Sequence, residues 1–157
     1  MSPGHIYHYF KNKGAIITAI VKREGDEALL RIKELEALPR ENFAELFIQH
    51  FEEGIKNRLT AFQTGLNFEI ISESRKNPDV AAQLKSNDER IRNLFSEIFR
   101  EKLDLQNPGL QIDALLTLMV GISTRYARNP ERTSENLGLL LRTVLLPVLN
   151  MSDAPRN

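Results

Sequence analysis

The stretch Ser2-Pro3-Gly4-His5-Ile6-Tyr7-His8-Tyr9-Phe10-Lys11-Asn12-Lys13 opens a sequence of 157 residues and decides how the rest of it is read. Ser2 can accept from the free amides of a helix start, and Pro3 is tolerated in a first turn, so a short helix is expected from residue 2 to about residue 9. In that helix Ile6 and Phe10 lie four residues apart and can face a core. Ser2, Pro3, His5, Tyr7, His8 and Tyr9 then largely remain on the outer side. Phe10-Lys11 makes a turn, and Asn12 can cap a second helix.

Beyond Asn12, apolar residues recur at steps of three and four nearly everywhere, and no sustained alternation suggests a half-buried strand. Ile16, Ile17, Ile20, Leu29, Ile32 and Leu35 predict a long helix that Pro39 ends. A helix from about Glu41 to Asn57 carries Phe43, Leu46, Phe47, Phe51 and Ile55. Another, from about Ala61 to Arg75, carries Phe62, Leu66, Phe68, Ile70 and Ile71. Asn77-Pro78 opens the next, which runs to about Leu103. After the break at Asn107-Pro108-Gly109, helical spacing resumes through Ile112, Leu115, Leu116, Met119, Ile122 and Tyr126. One last helix is expected from about Glu131 to Leu149, with Leu137, Leu140, Leu141, Val144, Leu145 and Val148 on its stripe and Leu139 and Leu146 beyond it. A helix apolar over so much of its circumference needs cover on more than one side, from its own chain or from a second subunit. The fold class is therefore all-α.

Apolar residues make up 41% and charged residues 27% of the sequence, a balance that folds and that excludes a disordered or collagenous chain. Basic and acidic residues number 21 each, so net charge points to no partner. Distribution does. Lys11, Lys13, Lys22 and Arg23 meet no acidic residue before Glu24, which leaves the front locally cationic, as a phosphate-facing surface is. With no cysteine, thiolate nucleophiles and Cys-based metal sites are excluded, and a reducing cytoplasm fits. The most apolar stretch, Leu137 to Leu149, is interrupted by Arg142 and is too short to span a bilayer; neither export nor membrane anchoring is expected.

The order of Ser2, Gly4, Ile6, Tyr7, Tyr9, Phe10 and Lys13, with a long helix and an all-helical remainder behind it, resembles the recognition helix and following turn of tetracycline-repressor (TetR) type regulators. That resemblance implies that Ser2, Pro3, His5, Tyr7, His8 and Tyr9 contact a DNA groove or backbone and that Lys13 contacts a phosphate. Elementary chemistry agrees. Tyr and His can bond phosphates or base edges, and a lysine at a helix start adds its charge to the amides there. Heads of this family have three helices, so the sequence is expected to start part-way through one. Residues 1–37 are then the remnant of a helix-turn-helix head plus its connecting helix, 38–150 a ligand-binding and dimerisation domain, and 151–157 a flexible tail. Gly14 departs from the family, which usually has an acidic residue there, and is expected to loosen the junction of head and body.

The resemblance also implies a small-molecule effector held among the middle helices. Phe47, Phe51, Phe62, Leu66, Phe95 and Phe99 are candidates for its apolar wall, and His50, Glu69, Arg125 and Tyr126 for its polar contacts, beside Gln63 and Asn67. No cofactor and no metal are expected: His5 and His8 are three apart, but the usual further ligands are missing. No phosphate loop, nucleophile elbow or His-Glu metal signature is present, so an enzyme is not expected. The expected protein is a cytoplasmic repressor that binds a palindromic operator as a homodimer through its last two long helices and releases DNA on binding its effector. The alternative is a headless ligand-binding or dimerising module that does not bind DNA.

Overall fold

The structure, a computed structural model, describes residues 12–151. Among these residues every regular element is helical. Helix α1 spans Lys13–Lys33 and is capped by Asn12, whose side chain accepts from the Ala15 amide. A 3-10 turn, Glu34–Ala37, carries it on towards Pro39. Helices α2, Phe43–Arg58, and α3, Ala61–Ser74, follow; Thr60 caps α3 by accepting from the Gln63 amide. Helix α4, Pro78–Leu103, has Asn77 as its cap and a proline in its first turn, as the sequence suggests. It stops at Asp104, whose φ of 59° is left-handed, a conformation that Asp tolerates better than most residues. Helix α5 is Gly109–Arg128.

The expected last helix is two. Helix α6 covers Pro130–Glu135 and α7 covers Leu137–Leu149, with Asn136 between them. Side chains in this run bond back to the backbone: Thr133 Oγ1 donates to the Asn129 carbonyl, Ser134 Oγ to that of Pro130, and Asn136 Nδ2 to that of Arg132. Such bonds offer the carbonyls an alternative to the helical ladder and favour an interruption. Pro147 sits inside α7 without ending it.

Two apolar clusters hold the bundle together. The main one joins α2, α4, α5 and α7 around Phe43, Phe47, Phe95 and Phe99, with Ile112, Leu115, Leu137, Leu141 and Leu145 closing it. The smaller one, Ile17, Val21, Ile70 and Val80, sets the front of α1 against α3 and α4. Helix α1 lies chiefly along α4. Gly25 makes that approach possible, since a Cβ there would fall 2.3 Å from the Asn87 side chain. Asn87 is 7% exposed and satisfied: Nδ2 donates to the Val21 carbonyl at 2.8 Å and Oδ1 accepts from Gln83 Nε2 at 3.0 Å. The inward stripe of α1 thus runs through Ile17, Val21 and Gly25. Glycine replaces an apolar residue in the gap between Ile20 and Leu29.

Candidate functional site

Of the residues expected to meet DNA, Ser2, Pro3, His5, Tyr7, His8 and Tyr9 lie outside the described residues. Lys13 lies within them, as the first residue of α1. Its ammonium donates to Glu69 Oε1 on α3 at 2.9 Å, and both side chains are more than half exposed. The hydrogen bond from Lys13 holds the Glu69 carboxyl below the ordinary carboxylate range. Further along, Arg58 Nη2 of α2 and Gln63 Nε2 of α3 both donate to Glu24 Oε2, at 2.5 and 3.2 Å. Arg90 of α4 pairs with Asp26 at 2.8 Å. Helix α1 is therefore tied by polar contacts to each of the three helices that follow it. Gly14 faces Asn77: a Cβ at position 14 would lie 2.2 Å from Asn77 Nδ2. The missing side chain lets the starts of α1 and α4 come together at the junction where the sequence alone suggests looseness.

The residues expected around an effector fall into separate places. Phe47, Phe51, Phe95 and Phe99 are contiguous. Phe47 stacks on Phe51 at a ring separation of 5.5 Å and meets Phe95 and Phe99 edge-on at 6.3 and 5.6 Å. His50, on the same helix, points instead toward Glu34, with Nε2 3.7 Å from its carboxylate. Phe62 is 78% exposed, and Leu66 packs on the small cluster. Glu69 is engaged by Lys13, and Gln63 by Glu24. Asn67 is exposed. Arg125 lines a polar hollow of about 220 Å³ with Arg128, Asn129, Arg132 and Thr133, while Tyr126 is half-buried on α5.

A larger open groove, about 530 Å³, runs between α1 and α4 and is lined by Asp26, Leu29, Leu30, Lys33, Arg90 and Leu94 among others. None of the residues expected around an effector lines it. Among the described residues no helix is long and apolar enough to cross a membrane.

Comparison with known proteins gives similarity along most of the chain. It is 31% identical over 140 residues to the HTH-type transcriptional regulator UidR of Escherichia coli (strain K12), covering 87% of this chain and 68% of that protein. The regulators of the same name from Escherichia coli O157:H7 and Shigella flexneri match with the same identity and coverage. No family profile matches the chain. No solved structure matches it.

Proposed function

The chain belongs to the HTH-type transcriptional regulators, and from that membership we propose a dimeric DNA-binding repressor of the tetracycline-repressor type whose hold on an operator is released by a small molecule. The observation that carries this reading is the 31% identity over 140 residues to the HTH-type transcriptional regulator UidR. DNA contact is assigned to Ser2, Pro3, His5, Tyr7, His8, Tyr9 and Lys13, within a head and connecting helix at residues 1–37. The body at 38–150 carries effector binding and dimerisation, and the protein works in the cytoplasm.

Dimerisation is supported by what α5 and α7 leave uncovered. Leu110, Met119 and Val120 on α5 and Leu139 and Val144 on α7 are exposed, although both helices also contribute to the main core. The two helices pack against each other, so pairing with their mates gives a four-helix arrangement that removes this surface from water. Effector binding is assigned to the aromatic group of Phe47, Phe51, Phe95 and Phe99. Phe47 and Phe99 are fully buried, so a ligand there has to part rings already in contact. A ligand that does so shifts the packing under α1, alters the spacing of the two heads and spoils their match to half-sites about one helical turn of DNA apart.

The test is fluorescence anisotropy of the full-length regulator with a duplex from its own promoter region, against an unrelated duplex of equal length. Preference for the promoter duplex by about a thousand-fold or more is expected of specific recognition. A protein that dimerises but binds neither duplex is an interaction module instead, and the repressor reading fails.

A further inference from the structure

We infer that Glu69 tunes the DNA affinity of the protein by competing with the DNA backbone for Lys13. Lys13 begins α1, directly after the segment to which DNA contact is assigned, and its ammonium donates to Glu69 Oε1 at 2.9 Å. The two residues are 56 apart in sequence and stand on different helices, so the contact ties elements together rather than decorating one helix face. Side-chain exposures of 68% and 54% put the pair at the surface, within reach of a phosphate arriving from solvent. A phosphate that reaches Lys13 also meets the Glu69 carboxylate, and two anions sharing one ammonium repel each other. Binding is therefore favoured when the pair opens, or when the carboxylate swings toward Lys76, whose charge also acts on it.

The position of α3 controls this competition. Gln63 in the first turn of α3 holds Glu24 of α1, and Ile70 and Leu66 of α3 pack on Ile17 and Val21 of α1. Glu69 is thus delivered to Lys13 by a rigid helix with its own anchors, not by a free loop. Displacing α3 along α1 moves the competing carboxylate nearer to the ammonium or away from it. This inference rests on the assignment of Lys13 as a phosphate contact.

The experiment is a double-mutant cycle on the full-length regulator, with Lys13→Gln, Glu69→Gln and both together, binding a labelled duplex of arbitrary sequence and about 30 base pairs over a series of salt concentrations. Lys13→Gln is expected to weaken binding and to reduce the salt slope by about one phosphate contact. Glu69→Gln is expected to tighten binding by about two- to five-fold, the scale of an exposed ion pair. In the Lys13→Gln background it is expected to change nothing further. If Lys13→Gln weakens binding but Glu69→Gln has no effect, the competition does not exist and the phosphate contact stands. Equal tightening by Glu69→Gln with and without Lys13 reduces the carboxylate to general repulsion and overturns the inference. If Lys13→Gln alters neither affinity nor slope, the assigned phosphate contact falls and takes the competition with it.

Discussion

Gly25 and Gly54 are both helical glycines, and their surroundings give them opposite roles. A methyl group at Gly25 meets Asn87 at 2.3 Å, and Asn87 is buried and already bonded to the Val21 carbonyl and to Gln83. It cannot withdraw without losing those bonds. Gly25→Ala is therefore expected to destabilise the protein by about 1–3 kcal/mol, the cost of overfilling a packed contact. At Gly54 nothing lies within 4 Å of the same methyl. Gly54→Ala is expected to stabilise by about 0.5–1 kcal/mol, because alanine loses less backbone freedom in a helix. Urea unfolding of the two variants beside the parent checks both signs. Neither role is legible in the sequence, where both glycines read as helix-weakening residues. What separates them is Asn87, more than sixty positions away from Gly25 and itself an ordinary polar residue until it is seen buried.

At the scale of elements, the starts at Asn12 and Asn77-Pro78 were readable because their chemistry is local, whereas the Thr60 cap came from the structure. Asn12, Thr60 and Asn77 precede helices and accept from the amides that those helices leave open. Thr60→Ala is expected to cost about 1 kcal/mol, mainly by loosening α3, with circular dichroism on heating as the measurement. The division between α6 and α7 escaped because Thr133, Ser134 and Asn136 are compatible with a helix when read singly. Their bonds back to the Asn129, Pro130 and Arg132 carbonyls act together. Helix α7 then starts at Leu137, with Gly138 directly beneath Glu52 of α2, where a Cβ would stand 2.7 Å from the carboxylate. A single unbroken helix would have carried the residues of α7 on the axis of α6.

For the whole molecule, ion pairs on the outside set the response to acid. Hydrogen bonds from Arg23, Lys13 and Arg92 hold the carboxyls of Glu27, Glu69 and Asp113 below their usual range. A carboxyl with a lower pKa folded than unfolded adds stability that is present above its unfolded pKa and lost as the pH falls through the folded one. All three are exposed to solvent, so each effect is small. The melting temperature is expected to stay level from neutral pH to about pH 5, then to fall below about pH 4.5, where the unfolded carboxyls bind protons first. Calorimetry across that range measures it, and a rise on acidification would contradict the pairing. Val120→Glu and Leu139→Glu place charge on the exposed apolar surface of α5 and α7. Each is expected to yield a folded monomer by light scattering, with little change in helical content.

The candidate site was less legible than the fold. Helical periodicity puts Phe47 with Phe51 on one face of α2 and Phe95 with Phe99 on one face of α4. It gives no rule for which polar residue turns toward them. His50 finds Glu34, Glu69 finds Lys13, and Arg125 stands at the far end of α5. Those partners are set by the crossing of helices, and nothing in the spacing of a single helix encodes a crossing.

The small cluster under the front of α1 has four buried side chains, Ile17, Val21, Ile70 and Val80, against sixteen in the main core. Local opening follows the amount of apolar contact that must be broken, so the amides from Ile17 to Val21 are expected to trade hydrogen for deuterium well before those from Phe95 to Phe99. The first turns of α1 can then detach and close again many times while the rest of the bundle stays intact. How the front of α1 is held becomes a matter of time spent docked, adjustable through Ile17 and Val21, which belong to α1 itself.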